Sequence, residues 1–173
     1  MKRVVIFILC ILAISFAGCM PQDINKESPA FIDAEVIYRG VQCNGPAKGP
    51  SAEWVLDPGH LSIIYKRLHR HIISPNVIRP PDVNFTKSVL LLIEMGRMPS
   101  AGYGVDLADE TVLIDNEIAE LNILWREPAP EYLHAQVISN PCIIVMLPIG
   151  VYTSARVLDQ NGTTLIKLEI NPK

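Results

Sequence analysis

Two short apolar runs constrain this chain more than anything else in it. Val89-Leu-Leu-Leu-Ile-Glu-Met95 is nearly continuous in apolar side chains, and so is Cys142-Ile-Ile-Val-Met-Leu147, which Pro141 and Pro148 bracket. A strand with one face in water alternates apolar and polar residues, whereas a continuous run suits a strand covered on both faces. The rest of the second half reads as strands and turns. Ile118-Ala-Glu-Leu-Asn-Ile-Leu-Trp125 puts Ile118, Glu120, Asn122 and Leu124 on one side of a strand, and Asp115-Asn116 before it suits a turn. Ser154–Leu158 and Thr163–Ile170 flank Asp159-Gln-Asn-Gly162, where Asn161-Gly162 predicts a type I′ hairpin turn with both central residues at positive φ.

The front of the chain carries one helix. Ala34–Val41 has strand character, and Asn44-Gly-Pro-Ala-Lys-Gly-Pro-Ser51 is a loop by its turn residues. Asp57-Pro58 is a helix start, because aspartate accepts from free N–H groups and proline suits the first turn. Leu61, Ile64, Tyr65, Leu68 and Ile72 then draw one apolar stripe. Arg67, His69, Arg70 and His71 read as a solvated face; His69 and His71 point about 200° apart on a helix and cannot chelate one ion together. Ser74-Pro75 and Arg79-Pro-Pro81 close the segment. The fold expected is α+β, mainly antiparallel β in a sandwich-like sheet, with one amphipathic helix in the N-terminal half.

The N-terminus predicts export. Lys2 and Arg3 precede an apolar stretch from Val4 to Phe16 and the small residues before Cys19, the pattern of a secretory signal. Phe16-Ala17-Gly18-Cys19 resembles the lipobox of bacterial lipoproteins, with Phe16 where an aliphatic residue is usual. The resemblance implies that residues 1–18 are a signal peptide and that Cys19 becomes the first residue and carries acyl chains. Each buried CH₂ of such chains adds about 0.8 kcal/mol of membrane affinity. Met20 stands where an inner-membrane retention signal usually shows aspartate, which points to the outer membrane and its periplasmic face. Residues 19–30 read as a tether, 31–80 as the strand and helix part of the domain, and 81–173 as a β part ending in a hairpin.

Loss of residues 1–18 takes two of the 15 basic residues and none of the 18 acidic ones, so the formal net charge moves from −3 to −5. No basic cluster suits nucleic acid. Cys43 and Cys142 remain in a compartment that permits disulfides. They are candidates for pairing if their Cα atoms come within about 7 Å; two buried thiols are the alternative.

Catalysis is not expected. The chain has no GxSxG, no HExxH and no phosphate loop. Cys142 with His134 would make a thiol–imidazole pair, but Cys142 opens an apolar strand and reads as structural. Asp106, Asp109 and Glu110 crowd near one turn without the spacing of a calcium loop, and read as solvated acids. No CxxC or HxxxH spacing predicts a metal, and no cofactor is expected.

One stretch is more distinctive. Pro81-Asp-Val-Asn-Phe85, the apolar run to Met95-Gly96, and Arg97-Met-Pro-Ser-Ala-Gly-Tyr103 are followed by Leu124-Trp-Arg-Glu-Pro128, Ala135-Gln-Val-Ile-Ser-Asn-Pro-Cys142 and Val145-Met-Leu-Pro148. This order resembles the protease complex subunit PrcB family in its bacterial lipoprotein form, over about residues 82 to 160. Ser100 stands where the family usually has threonine, and Asn84 where it usually has aspartate. The resemblance implies an envelope protein without catalysis of its own, with a secreted or envelope protease as partner. Its marker loop is Gly96, Pro99, Ser100, Gly102 and Tyr103. Pro99 fixes one φ, Gly102 permits a conformation that a Cβ forbids, Ser100 can bond the backbone, and Tyr103 can pack its ring.

Two further readings stay open. Proline–small–small–glycine–tyrosine is similar to a loop of chagasin-type cysteine-protease inhibitors, although this chain lacks their glycine-rich second motif and Arg126-Glu-Pro128 only weakly matches the third. A small-ligand binder would need a cleft beside the helix, lined by several of Tyr65, His69, Tyr103 and Trp125.

Overall fold

The two apolar runs lie side by side at the centre of one sheet. The computed structural model describes residues 28–70, 72, 78–131 and 133–170. Cys19, the segment 1–18, most of the tether, His71, Ser74 and Pro75 lie outside the described residues. In chain order the elements are β1 (Ala30–Asp33), β2 (Glu35–Gly40), β3 (Ser51–Val55), α1 (Pro58–Leu68), β4 (Ser88–Glu94), β5 (Gly104–Leu107), β6 (Thr111–Asp115), β7 (Ile118–Arg126), β8 (Cys142–Pro148), β9 (Ser154–Leu158) and β10 (Thr164–Glu169). The fold is the expected α+β architecture, mostly antiparallel sheet with one short helix.

A four-stranded antiparallel sheet has the order β2-β8-β4-β3. In it β4 pairs with β8 from Ser88↔Pro148 to Glu94↔Cys142. Alternate side chains then go to opposite faces. Leu91 and Ile93 join Ile143, Val145 and Leu147 in the core shared with a second sheet. Leu90 and Leu92 join Cys142 and Ile144 beneath α1. Both faces are therefore covered, which is why neither run alternates.

The second sheet has the order β1-β6-β7-β9-β10, and β5 pairs with the end of β7. Its one parallel pair is β7 with β9; the others are antiparallel. Ala119, Leu121 and Ile123 point into the sandwich and leave Ile118, Glu120, Asn122 and Leu124 outside, as the alternation requires. Trp54 stacks on Tyr152 with ring centroids 6.2 Å apart. The Tyr152 hydroxyl donates to the Pro148 carbonyl at 2.6 Å, and burial pushes its pKa up to about 12.

An isolated helix of 11 residues is marginal in water. Burial of Leu61, Ile64, Tyr65 and Leu68 holds α1 on the sheet, at about 1.5–3 kcal/mol for each fully buried aliphatic side chain. Asp57 caps the N-terminus by accepting from the His60 N–H at 2.8 Å. The predicted stripe runs too far. The helix stops at Leu68, the Asn44 side chain takes up the Arg67 carbonyl at 3.2 Å, and Ile72 lies beyond the end, 45% exposed.

One turn differs from expectation, while the turn predicted at Asp115-Asn116 forms. Gly162 has positive φ but Asn161 does not, so the β9–β10 connection is not type I′. The Asp159 carboxylate instead accepts from the N–H groups of Asn161 and Thr163, at 2.9 and 2.8 Å. These bonds lower its pKa. The type I′ signature falls on Asn116 and Glu117, φ 50° and 61°, inside the Asp115↔Ile118 pair of β6 and β7. Strands β1, β3 and β6 escape the sequence reading, because they are short and their patterns are mixed.

Candidate functional site

The loop after β4 is built into the protein along its whole length. Gly96 has φ 81°, and a Cβ there would come within 2.5 Å of the Gly49 carbonyl oxygen. The Met98 N–H donates to the Ser139 carbonyl at 2.8 Å, and the Ser139 N–H returns the bond at 3.0 Å. The Ala101 N–H donates to the Ala135 carbonyl, and Ser139 Oγ donates to the Ser100 carbonyl at 2.8 Å. Gly102 has φ 97°, and a Cβ on it would meet His134 Nδ1 and Pro128 Cβ at 2.8 Å. Tyr103 packs, half-buried, against the sandwich core. Pro99 stays exposed, and Ser100 Oγ donates to the neighbouring Ala101 carbonyl at 3.1 Å. Gly96, Pro99, Ser100, Gly102 and Tyr103 thus form one continuous corner bonded to residues 135–139.

The same corner contains the cysteines. Cys43 and Cys142 form a disulfide, buried beneath α1, with Cα atoms 6.0 Å apart. The alternative of two free thiols is excluded, and so is a Cys142–His134 couple. His134 instead places Nε2 2.9 Å from the Ala129 carbonyl. Around the disulfide, the Cys43 N–H donates to the Asn140 carbonyl and the Asn140 N–H to the Val41 carbonyl, each at 2.9 Å.

Beside it, at the end of β4, stands a buried carboxylate. Glu94 is only 4% exposed and shares the helix-facing side with Leu90 and Leu92. Arg67 reaches it at 3.2 Å and reaches Glu53 at 3.0 Å, and His60 Nε2 lies 3.6 Å from Glu53. Burial pushes the Glu94 pKa up; Arg67 pulls it down, and Glu53 adds to the rise. Arg67 is therefore not part of a solvated helix face. His69 also departs from that reading: its ring lies 5.2 Å from Tyr65 and 5.5 Å from Tyr38 by centroid.

The acids near β5 separate. Asp106 accepts from Arg39 at 2.9 Å and from Arg126 at 3.0 Å, bracing the two sheets, while Asp109 and Glu110 stay exposed. Asp106 is thus an ion-paired brace rather than a solvated acid. Among the described residues, no group of three His, Cys, Asp or Glu side chains is placed to hold a metal.

The cleft sketched from sequence does not assemble. Tyr65 and His69 lie on the helix side of the four-stranded sheet, and Tyr103 and Trp125 pack against the sandwich core. A different cleft, of about 910 Å³, opens where β3, the start of α1 and the end of β10 meet. Glu53, Trp54, Leu56, Ile63, Leu168 and Glu169 line it, with Asp57 and His60 at the helix end. None of these six stands out in the sequence. The usable signals were a five-residue segment with tryptophan between loop and helix, and Ile63, an isoleucine outside the helical stripe that is 67% exposed.

Among the described residues, the lining of this cleft contains no serine, threonine, cysteine or lysine. It offers a strand edge, an apolar floor and carboxylates. Among the described residues, no helix is long and apolar enough to cross a membrane. No family model, curated protein or solved structure matches this chain.

Proposed function

We propose that this chain is a lipid-anchored protein of the bacterial cell envelope, of the PrcB-like kind, held at the outer membrane by Cys19. Without catalysis of its own, it serves as an accessory in the assembly or stability of a secreted or envelope protease. The observation that carries the reading is the N-terminal order: a basic start, an apolar stretch, then Phe16-Ala17-Gly18-Cys19. The Cys43–Cys142 disulfide supports it, since such bonds persist in oxidising compartments. The bonded corner supports an accessory role over a chagasin-type inhibitor, because the loop from Gly96 to Tyr103 is tied to residues 135–139 rather than held free.

Acyl labelling of the full chain in a bacterial host, beside a Cys19→Ala variant, tests the anchor. Labelled wild type in the membrane fraction and an unlabelled variant are expected. An equally labelled variant contradicts the anchor. Crosslinking of the membrane-held chain tests the role, and recovery of a protease is expected. Purified chain that hydrolyses peptides, or that inhibits papain at micromolar concentration, contradicts the accessory reading.

A further inference from the structure

Among the described residues, the five strands with a single partner are not equally guarded. Unpaired N–H and C=O groups on a sheet edge are a template for another strand, and proteins blunt such edges with bulges, charges, prolines or short length. β2 carries a register shift between Val36 and Tyr38. β10 carries one between Thr164 and Ile166, and has Lys167. β1 and β5 have only four residues each. β3 has five residues and carries Glu53, but it has no bulge, lysine or proline. It pairs with β4 alone, in unbroken register from Ser51↔Glu94 to Val55↔Leu90.

This straight edge is also the one that lines the large cleft. Trp54 and Leu56 on its near wall and Leu168 on the far wall give apolar surface, and Ile63 projects from α1 into the opening. The charge there is one-sided. Among the described residues, Glu53, Asp57 and Glu169 line the cleft and no lysine or arginine does; Arg67 and His60 already pair with Glu53 and Asp57 caps α1, so Glu169 is the carboxylate left to meet an added cation. The whole chain is acidic as well. An added strand gains its affinity from main-chain bonds to the edge and its specificity from alternate side chains.

We infer that the β3 edge is a docking site for an extended segment of another protein, one that alternates apolar and basic residues and adds as a further strand to the four-stranded sheet. Its main chain pairs along Ser51–Glu53, the part of β3 that stays accessible, its apolar side chains settle against Leu56, Ile63 and Leu168, and its cations face Glu169. The site rests on the reading of the chain as an interaction protein and gives that reading a surface.

The test uses purified full chain and a fluorescein-labelled octapeptide of alternating valine and lysine, followed by fluorescence anisotropy. Three comparisons accompany it: the same peptide with alternate amides N-methylated, a valine–glutamate counterpart, and the protein variants Ile63→Lys and Glu169→Lys. Saturable binding of the valine–lysine peptide is expected, weakened at least tenfold by N-methylation and by each variant, with no binding of the glutamate peptide. Equal binding of the methylated peptide overturns strand addition without depending on any protein variant. Unchanged binding by both folded variants overturns the location. Absence of binding at 100 µM peptide (~0.1 mM, the weak end of specific recognition) overturns the occupant. A concentration-dependent dimer that Ile63→Lys dissolves places a second copy on the edge and also overturns it. Any of these leaves the crosslinking result free to stand, so loss of the site and loss of the accessory role are distinguishable.

Discussion

One end of the four-stranded sheet is tied shut, and one side of it is left open. At the closed corner, the Cys43–Cys142 disulfide, the Met98–Ser139 bridge and the Arg67–Glu94 pair hold loops from three parts of the chain against one another. At the open side, β3 has a partner on one edge only and faces a cleft. The corner uses residues with unusual properties: cysteine, proline, and glycines at positive φ. The open edge uses Ser-Ala-Glu-Trp-Val, an ordinary segment. Residues that constrain the chain gather where it holds itself, and a surface kept available for pairing needs no such marks.

The contrast has graded consequences. The largest belongs to the disulfide, which joins residues 99 apart in sequence. Replacement of Cys43 and Cys142 by serine is expected to lower unfolding free energy by about 2–5 kcal/mol, read from urea midpoints. A loss below about 1 kcal/mol would mean that the corner is held by its hydrogen bonds instead. Next is Gly102→Val, which puts a β-branched residue at φ 97° against His134 and Pro128. Strain of this kind costs about 1–3 kcal/mol, and thermal melting should show it. Melting unchanged from wild type would remove the corner's claim to rigidity.

Glu94 sharpens the comparison through pH. Its folded pKa is raised by burial, so the folded state holds the proton more tightly than the unfolded chain. Its contribution is fully present below the unfolded pKa, and is lost as pH rises from there through the raised folded value. Glu94→Gln should flatten that part of the stability–pH curve. The same slope in both proteins would assign it to another group. The smallest effects are expected from Ser100→Ala and Ile63→Lys, each within about 0.5 kcal/mol of wild-type stability. The first loses one local bond to Ala101, and the second changes an exposed side chain. A large destabilisation by Ile63→Lys would show that the cleft wall serves packing.

The same contrast explains what could be read in advance. Val89–Met95 and Cys142–Leu147 announced strands covered on both faces, because burial on both sides leaves no room for alternation. Gly102 announced its turn, and Asp57-Pro58 its helix start. Asn161-Gly162 announced the right hairpin with the wrong turn, since the Asp159 carboxylate binds the loop's N–H groups and redirects it. Arg67 looked solvated because helical spacing cannot reveal that Glu94, 27 residues later, comes to rest beside it. β3 and the cleft were not legible at all. An edge is defined by which strand is missing next to it, and that depends on the order of the whole sheet.

Amide hydrogen exchange with and without the valine–lysine octapeptide tests the central claim most directly. Slowed exchange within Ser51–Glu53, with Arg97–Tyr103 unchanged, is the result predicted. Protection that appears at Arg97–Tyr103 and not along β3 would contradict it.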